Sequence, residues 1–231
     1  MMHRNTLKTQ GGAALLLLVA VLGLGAASLL MHAFSRNGAE SQRQQRTLAI
    51  LAQARDALTG FAATNGRLPR PATSATDGRE GPAECASDAD CSGFLPWVAL
   101  GVPGLDAWGK VVRYSVTPEM SRAPIASVSA VANRVVLRRK ADGGLAYLIG
   151  QEQCDVSAQC LPAVVFSHGK ERYGTAASGT RLAPTLRGNV DEAANELAST
   201  SFVTGNSVDD LLAWITLPAL YQRMRAARTL P

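Results

Sequence analysis

The sequence predicts an α+β fold in which a long N-terminal helix packs on an antiparallel β-sheet head. Residues 13–31 form an apolar run without charge, and residues 42–64 carry apolar side chains at helical spacing. Short segments rich in β-formers follow residue 110 and are separated by turn sequences. We divide the chain into a leader at 1–12, a transmembrane helix at 13–34, an amphipathic continuation at 35–65 and a head at 66–231.

The apolar run from Ala13 to Met31 contains one hydroxyl residue, Ser28. A helix of this length rises about 28 Å, close to the hydrocarbon thickness of a bilayer, and it satisfies its backbone groups internally. Basic residues flank the run on both sides, so charge alone does not fix its orientation. A plain membrane anchor and a signal peptide cleaved near Gly25-Ala26-Ala27 are the alternative interpretations.

Two glycines, Gly11 and Gly12, separate a short basic leader from the apolar run. This arrangement resembles the N-terminus of type IV pilins and of the pseudopilins of type II secretion. The resemblance implies that a prepilin peptidase cuts after Gly12, that Ala13 becomes the mature N-terminus, and that the apolar helix packs inside a filament. The family usually has a glutamate at the fifth mature position, where this chain has Leu17. Because some minor members also lack it, the resemblance points to a minor subunit.

The segment after the apolar run predicts an amphipathic continuation of the helix. Between residues 42 and 64 the chain contains no proline, and Gly60 is the only glycine in that range. The helix is expected to end near Asn65-Gly66, before Pro69. The apolar positions that would face the head are Leu48, Leu51, Ala54, Leu58 and Phe61.

The head is expected to contain a sheet of about four strands packed on the amphipathic helix. The turn sequence Ala-Asp-Gly-Gly at 141–144 predicts a hairpin and therefore antiparallel pairing. The predicted strands lie at 110–114, 125–131, 134–140, 145–150 and 163–169.

The stretch from Asp106 to Tyr114 contains Trp108 and Gly109 directly before the first of these strands. It resembles the Asp-Pro-Trp-Gly-Asn-Pro-Tyr-Xaa-Tyr stretch of major pseudopilins, with Ala107 in place of the proline. We expect structural roles for these residues. Asp106 would accept backbone N–H groups, Gly109 would allow the turn, and the ring of Trp108 would be buried beneath it.

Four cysteines form two local pairs with the same C-x5-C spacing, Cys85 with Cys91 and Cys154 with Cys160. Two short disulfide loops are the preferred interpretation, and free thiols or a metal site are the alternatives. Disulfides would place the head in an oxidising compartment such as a bacterial periplasm.

Ser167 and His168 are adjacent in an otherwise apolar segment, which raises the alternative of a secreted hydrolase. Neighbouring residues of a strand point to opposite faces, so the two are badly placed to act as nucleophile and base. The sequence also lacks a G-x-S-x-G elbow. A structural strand end is the simpler interpretation.

Asp209 and Asp210 form an acidic pair near the C-terminus, preceded by Asn206 and Ser207. Major pseudopilins coordinate calcium in a comparable late loop, and these oxygens could supply some of the six to eight ligands that calcium needs. In the alternative, Ser207 caps a helix whose first turn contains the two aspartates.

These observations favour a non-enzymatic subunit of a type II secretion pseudopilus or type IV pilus. It would cross the inner membrane once, with its C-terminal head in the periplasm. Expected partners are other pilin or pseudopilin subunits, the prepilin peptidase and membrane lipid. The net charge of +5 is scattered, so no nucleic-acid partner is expected, and calcium is the one candidate cofactor. A membrane-anchored periplasmic binding module is the main alternative.

Overall fold

The structure, a computed structural model, describes residues 11–126, 129–157, 159–183, 189–205 and 208–230, with only the backbone at 11–14 and 26–37. The predicted α+β class is confirmed, because helices combine with largely antiparallel sheets. The chain divides into two units, Met1–Gln42 and Arg43–Pro231.

Helix α1 begins at Gly11 and ends at Asn65. Among the residues that the structure describes, no helix combines the length and the apolarity needed to cross a membrane. The predicted span at 13–34 includes side chains, at 13–14 and 26–34, that lie outside the described residues.

Within the second unit, α1 buries one stripe of side chains spaced three or four residues apart. The helix ends one residue before Gly66, whose positive φ of 68° and N–H bond to the Ala62 carbonyl complete the stop. Leu48 does not face the head as predicted, because it is 45% exposed while its neighbour Thr47 is buried. The fully buried residues of the stripe are Thr47, Leu51, Ala54, Leu58 and Ala62.

In the part of the chain that the structure describes, seven strands form two sheets instead of the single sheet of about four that the sequence predicted. The first sheet has the order β1-β2-β5-β7 and is antiparallel throughout. Its strands are β1 Ser92–Phe94, β2 Arg113–Val116, β5 Ala163–Ser167 and β7 Leu211–Ile215.

The second sheet has the order β4-β3-β6. Strands β3 and β4 form the predicted antiparallel hairpin, whereas β3 and β6 pair in parallel. Its strands are β3 Val135–Arg139, β4 Leu145–Ile149 and β6 Ser201–Thr204. The remaining helices are α2 Trp97–Leu100, a 3-10 turn at Pro118–Ser121, α3 Val190–Leu197 and α4 Leu217–Ala226.

The predicted strand at 125–131 is wrong for the described residues of that segment. The N–H of Ala130 bonds to the carbonyl of Ala126, which closes a turn, and the N–H of Ile125 bonds to Gly66. The N–H group of Ala130 is therefore used within a local turn and is not available for pairing with a neighbouring strand. Residues 127 and 128 lie outside the described part of the chain.

Strand β5 is buried along its whole length because both of its faces are covered. Ala163 and Val165 belong to the larger core, which also contains the buried stripe of α1 and residues of α4. Val164 and Phe166 belong to a smaller core shared with the second sheet. Alternation along one strand thus joins two cores and sets the direction in which Ser167 and His168 leave its end.

Candidate functional site

Two parts of the molecule are candidates for function. The first is the N-terminal part of α1, which we call the stem surface and define as residues 15–24. Its eight leucines and valines are each 58–73% exposed, and they occupy every side of the helix. A helix that is apolar all round is stable only when lipid or other protein covers it. The residues are Leu15, Leu16, Leu17, Leu18, Val19, Val21, Leu22 and Leu24.

The predicted processing residues Gly12 and Ala13 belong to the same helix. Their side chains lie outside the described residues. At Gly23, within the stem surface, and at Gly25, just beyond it, an added Cβ would meet no atom within 4 Å apart from the backbone of the helix itself. These glycines are therefore not required by packing within the described chain, and they leave room for the close approach of another helix.

The second candidate is a buried polar network in the head, which begins at the turn from Asp106 to Gly109. Asp106 Oδ1 accepts the N–H groups of Trp108 and Lys110, each at 2.9 Å. Gly109 adopts a φ of +78°, a conformation that side chains other than glycine rarely adopt. The Ala107 N–H donates to the hydroxyl of Thr47 at 3.1 Å, so the turn is fastened to α1.

The two aromatic residues of this stretch differ in burial. Tyr114 is fully buried and donates its hydroxyl to the Pro69 carbonyl at 3.2 Å. Trp108 is only half-buried, although its ring nitrogen is inaccessible and has no partner among the described residues. The ring of Trp108 is therefore buried only in part, and Asp106 and Gly109 form the turn.

Lys110 extends its ammonium group into the interior of the network. It donates to the backbone carbonyls of His168, at 2.9 Å, and Glu171. Burial lowers the pKa of Lys110, and the nearby carboxylates of Asp106 and Asp209 oppose that shift only in part. The ammonium thus links the turn after β5 to the turn that precedes β2.

Ser167 and His168 are both about 99% buried and point to different partners. The Ser167 hydroxyl donates to Asp106 Oδ2 at 2.6 Å and accepts the Gly169 N–H at 3.0 Å. The His168 ring lies on the other side, between the carboxylates of Asp210 and Glu196. No hydrogen bond joins the two side chains within the described structure, so they do not form a nucleophile–base pair.

The His168 ring is flanked by carboxylates on both nitrogens. Nδ1 lies 3.3 Å from Asp210 Oδ1, and Nε2 lies 3.0 Å from Glu196 Oε2. Burial disfavours the charged ring, but hydrogen bonds and charge from the two carboxylates outweigh it and raise the pKa of His168. Burial of Glu196 favours its protonated form, but the hydrogen bond and the charge of His168 outweigh this effect and lower the pKa of the Glu196 carboxyl.

Asp209 and Asp210, the predicted calcium ligands, are occupied by protein donors. Asp209 Oδ2 accepts the N–H groups of Lys170 and Glu171. Asp210 contacts His168 and accepts the side-chain amide of Asn195 at 2.7 Å. In the described part of the chain, no group of three His, Cys, Asp or Glu side chains could hold a metal ion.

The alternative for the same region was a helix that Ser207 caps and whose first turn contains Asp209 and Asp210. Among the described residues this helix is not formed, so that prediction is wrong. Residues 209 and 210 precede strand β7, and the next helix, α4, begins only at Leu217. Asn206 and Ser207 themselves lie outside the described residues. Pairing of Leu211–Ile215 with β5 explains why these residues extend as a strand.

Glu192 is the most unusual member of the network. Its residue is 2% exposed, its Oε1 accepts the Asp209 N–H at 3.2 Å, and its Oε2 has no partner among the described residues. Burial raises the pKa of Glu192 to about 8; the nearby Asp209 carboxylate adds to the increase, whereas the hydrogen bond from the Asp209 N–H opposes it. The carboxyl is therefore mostly protonated at neutral pH.

Sequence reasoning missed Lys110, Glu192, Asn195 and Glu196. One feature of the sequence around α3 could have pointed to the network: its polar and apolar residues lie on opposite faces of the helix. The structure buries the polar face, with Asp191, Glu192 and Asn195, and exposes Val190 and Leu197. Sequence alone does not show which face of such a helix is buried, because burial of the polar face depends on hydrogen-bond partners from other segments.

Both predicted disulfides are confirmed. Cys85 pairs with Cys91 and Cys154 pairs with Cys160, with Cα atoms 5.1 Å and 5.9 Å apart. The alternatives of free thiols and a metal site at these four cysteines are thereby excluded.

No known protein family, curated protein or solved structure matches this chain.

Proposed function

We propose that the protein is a non-enzymatic structural subunit of a pilin-like filament, either a type II secretion pseudopilus or a type IV pilus. The chain would be cleaved after Gly12 by a prepilin peptidase and anchored in the inner membrane by α1. Its head would lie in the periplasm and contact other subunits.

One observation carries this proposal: a single helix exposes apolar side chains on every side at residues 15–24 and buries only one stripe of side chains in the head from Thr47 onward. Covering eight large apolar side chains is worth roughly 10–20 kcal/mol relative to water. This free energy is too large for the stem surface to remain in water, so lipid or other helices must cover it.

Lipid alone provides little drive for helices to associate, because the tails are as apolar as leucine. Association within a membrane depends on close packing, which small residues permit. Gly23 lies among the leucines of the stem surface and Gly25 follows them directly, and both leave open space where a side chain would otherwise lie. This pattern favours helix–helix packing over anchoring alone.

The state of Ser167 and His168 supports a non-enzymatic role. Each is buried, each is held by a carboxylate, and their side chains face different partners. The two disulfides are consistent with a head in an oxidising compartment. A membrane-anchored binding module is the second candidate, because the exposed stem surface would equally serve an anchor that never assembles.

The mass of the purified full chain and cross-linking of its stem test the proposal together. Intact-mass measurement should find a mature chain beginning at Ala13. In native membranes, a cysteine placed by Gly23→Cys should form disulfide-linked dimers, whereas the matched head variant Arg172→Cys should form far fewer. An unprocessed N-terminus together with monomeric Gly23→Cys would support the anchored binding module instead.

A further inference from the structure

A groove of about 850 Å³ opens in the head beside the β3–β4 hairpin. The end of β3 forms one wall, the ends of β6 and the start of β7 form another, and Gln44 of α1 closes it. The groove-lining residues on which the argument depends are Gln44, Arg138, Arg139, Lys140, Thr204 and Asp210.

Three consecutive basic residues give this groove its charge. Arg139 is committed to Asp191 of α3 and to the Gly143 carbonyl. Arg138 and Lys140 are exposed, and their side chains have no hydrogen bond or ion pair within the described residues. Two cationic groups are thus held at the rim by a β-hairpin without an internal counter-ion.

Among the described residues, the acidic groups near the groove form no ion pair with Arg138 or Lys140. Asp210 lines the floor but is buried and paired with His168. Asp142, at the hairpin tip, accepts the Gly144 N–H at 2.8 Å and braces the turn. Gln44 and Thr204 add neutral hydrogen-bonding groups. The combination of flexible cations and neutral donors suits a phosphate group.

The groove is lined by a residue that lies close in sequence to the proposed membrane span, which indicates that the phosphate groups would belong to membrane lipids. Gln44 is the second residue of the head unit and follows Phe34, the end of the proposed membrane span, by ten residues. Arg46 adds another exposed basic side chain on the same helix. Basic residues this close to a membrane span are attracted to anionic phospholipid.

We propose that Arg138 and Lys140 bind the phosphate head groups of anionic phospholipids in this groove and so hold the head against the membrane surface. This inference rests on the proposed membrane anchoring, but not on filament assembly. A single-stranded nucleic acid is disfavoured because no aromatic side chain lines the described groove for base stacking.

Hydrogen exchange of the full chain in lipid nanodiscs tests the proposal. We expect the amides of the β3–β4 hairpin to exchange roughly fivefold more slowly in nanodiscs containing phosphatidylglycerol than in phosphatidylcholine nanodiscs. High salt should remove the difference. The double variant Arg138→Gln, Lys140→Gln should lose it, and the charge-matched control Lys170→Gln, Arg172→Gln should keep it.

Each other outcome contradicts the proposal in a recognisable way. Equal exchange in both lipids, with the chain correctly inserted, would refute lipid binding while leaving the anchor intact. Protection by millimolar inorganic phosphate in phosphatidylcholine nanodiscs would assign the groove to free phosphate. Protection by poly-glutamate but not by phosphatidylglycerol would assign it to an acidic protein segment. A chain that enters neither nanodisc would contradict the proposed function itself.

Discussion

Replacing Glu192 by glutamine should make the head more stable at alkaline pH. Glutamine keeps the shape of the protonated acid, can accept the Asp209 N–H, and does not ionise. In the wild type, the unfolded chain releases the Glu192 proton near the ordinary pKa of 4.5, whereas the folded chain holds it until about pH 8. The contribution of this carboxyl to stability is therefore fully present below pH 4.5 and is lost as pH rises towards 8.

The magnitude follows from the difference in proton binding. Between pH 5 and 8 the free energy of unfolding changes by about 1.4 kcal/mol per pH unit, or about 4 kcal/mol in total. Relaxation of the protein and water penetration around an ionised carboxylate lower the cost of burying it, so we expect a difference of about 2 kcal/mol. Glu192→Gln should therefore match the wild type near pH 5 and exceed it by about 2 kcal/mol at pH 8.5.

Urea unfolding of the full chain in detergent, followed by tryptophan fluorescence, measures this difference. The chain has three tryptophans, Trp97, Trp108 and Trp214, and all belong to the head unit, so the signal excludes the stem. Glu171→Gln removes a carboxylate from an exposed side chain and provides the control, whose difference from wild type should not grow with pH. A stability difference for Glu192→Gln that is independent of pH, or that favours the wild type at pH 8.5, would refute the buried protonated carboxyl.

Three further substitutions test packing and the network, each by the same unfolding measurement. Lys110→Met leaves two buried carbonyls without their donor and should cost about 3 kcal/mol, whereas exposed Lys170→Met should change stability by less than about 0.5 kcal/mol. Gly104→Ala places a Cβ about 2.5 Å from the Trp97 ring and should cost about 1–3 kcal/mol; an unchanged midpoint would contradict that close contact. Gly60→Ala meets nothing within 4 Å inside α1 and should stabilise the head by about 0.5–1 kcal/mol, so a loss of stability would argue against the helix there.

Sequence patterns predicted those elements whose structure depends only on residues close together in the chain. The periodicity of Leu51, Ala54 and Leu58 was sufficient for the buried stripe of α1, since helical spacing alone puts them on one face. The Ala-Asp-Gly-Gly turn was sufficient for the β3–β4 hairpin. The C-x5-C spacing was sufficient for both disulfides, because each closes a short loop.

Pairings between distant segments were not predictable in the same way. Strands β6 and β7 are short, and each is a strand because of a partner far away in sequence, β3 for one and β5 for the other. For the same reason one expected sheet became two. The segment at 125–131 has strand-like composition, but its described residues close a local turn instead.

The sequence by itself predicted the α+β class, the buried stripe of α1 and both disulfides, because patterns within single segments specify each of these features. Only the tertiary structure decided that Lys110, His168, Glu192 and Asp210 meet in one buried network. Lys110 lies before β2, His168 directly after β5, Glu192 in α3 and Asp210 directly before β7. The protonation state of each residue depends on its burial and on the charged groups near it. Both arise only when the chain folds, so no local sequence pattern predicts them.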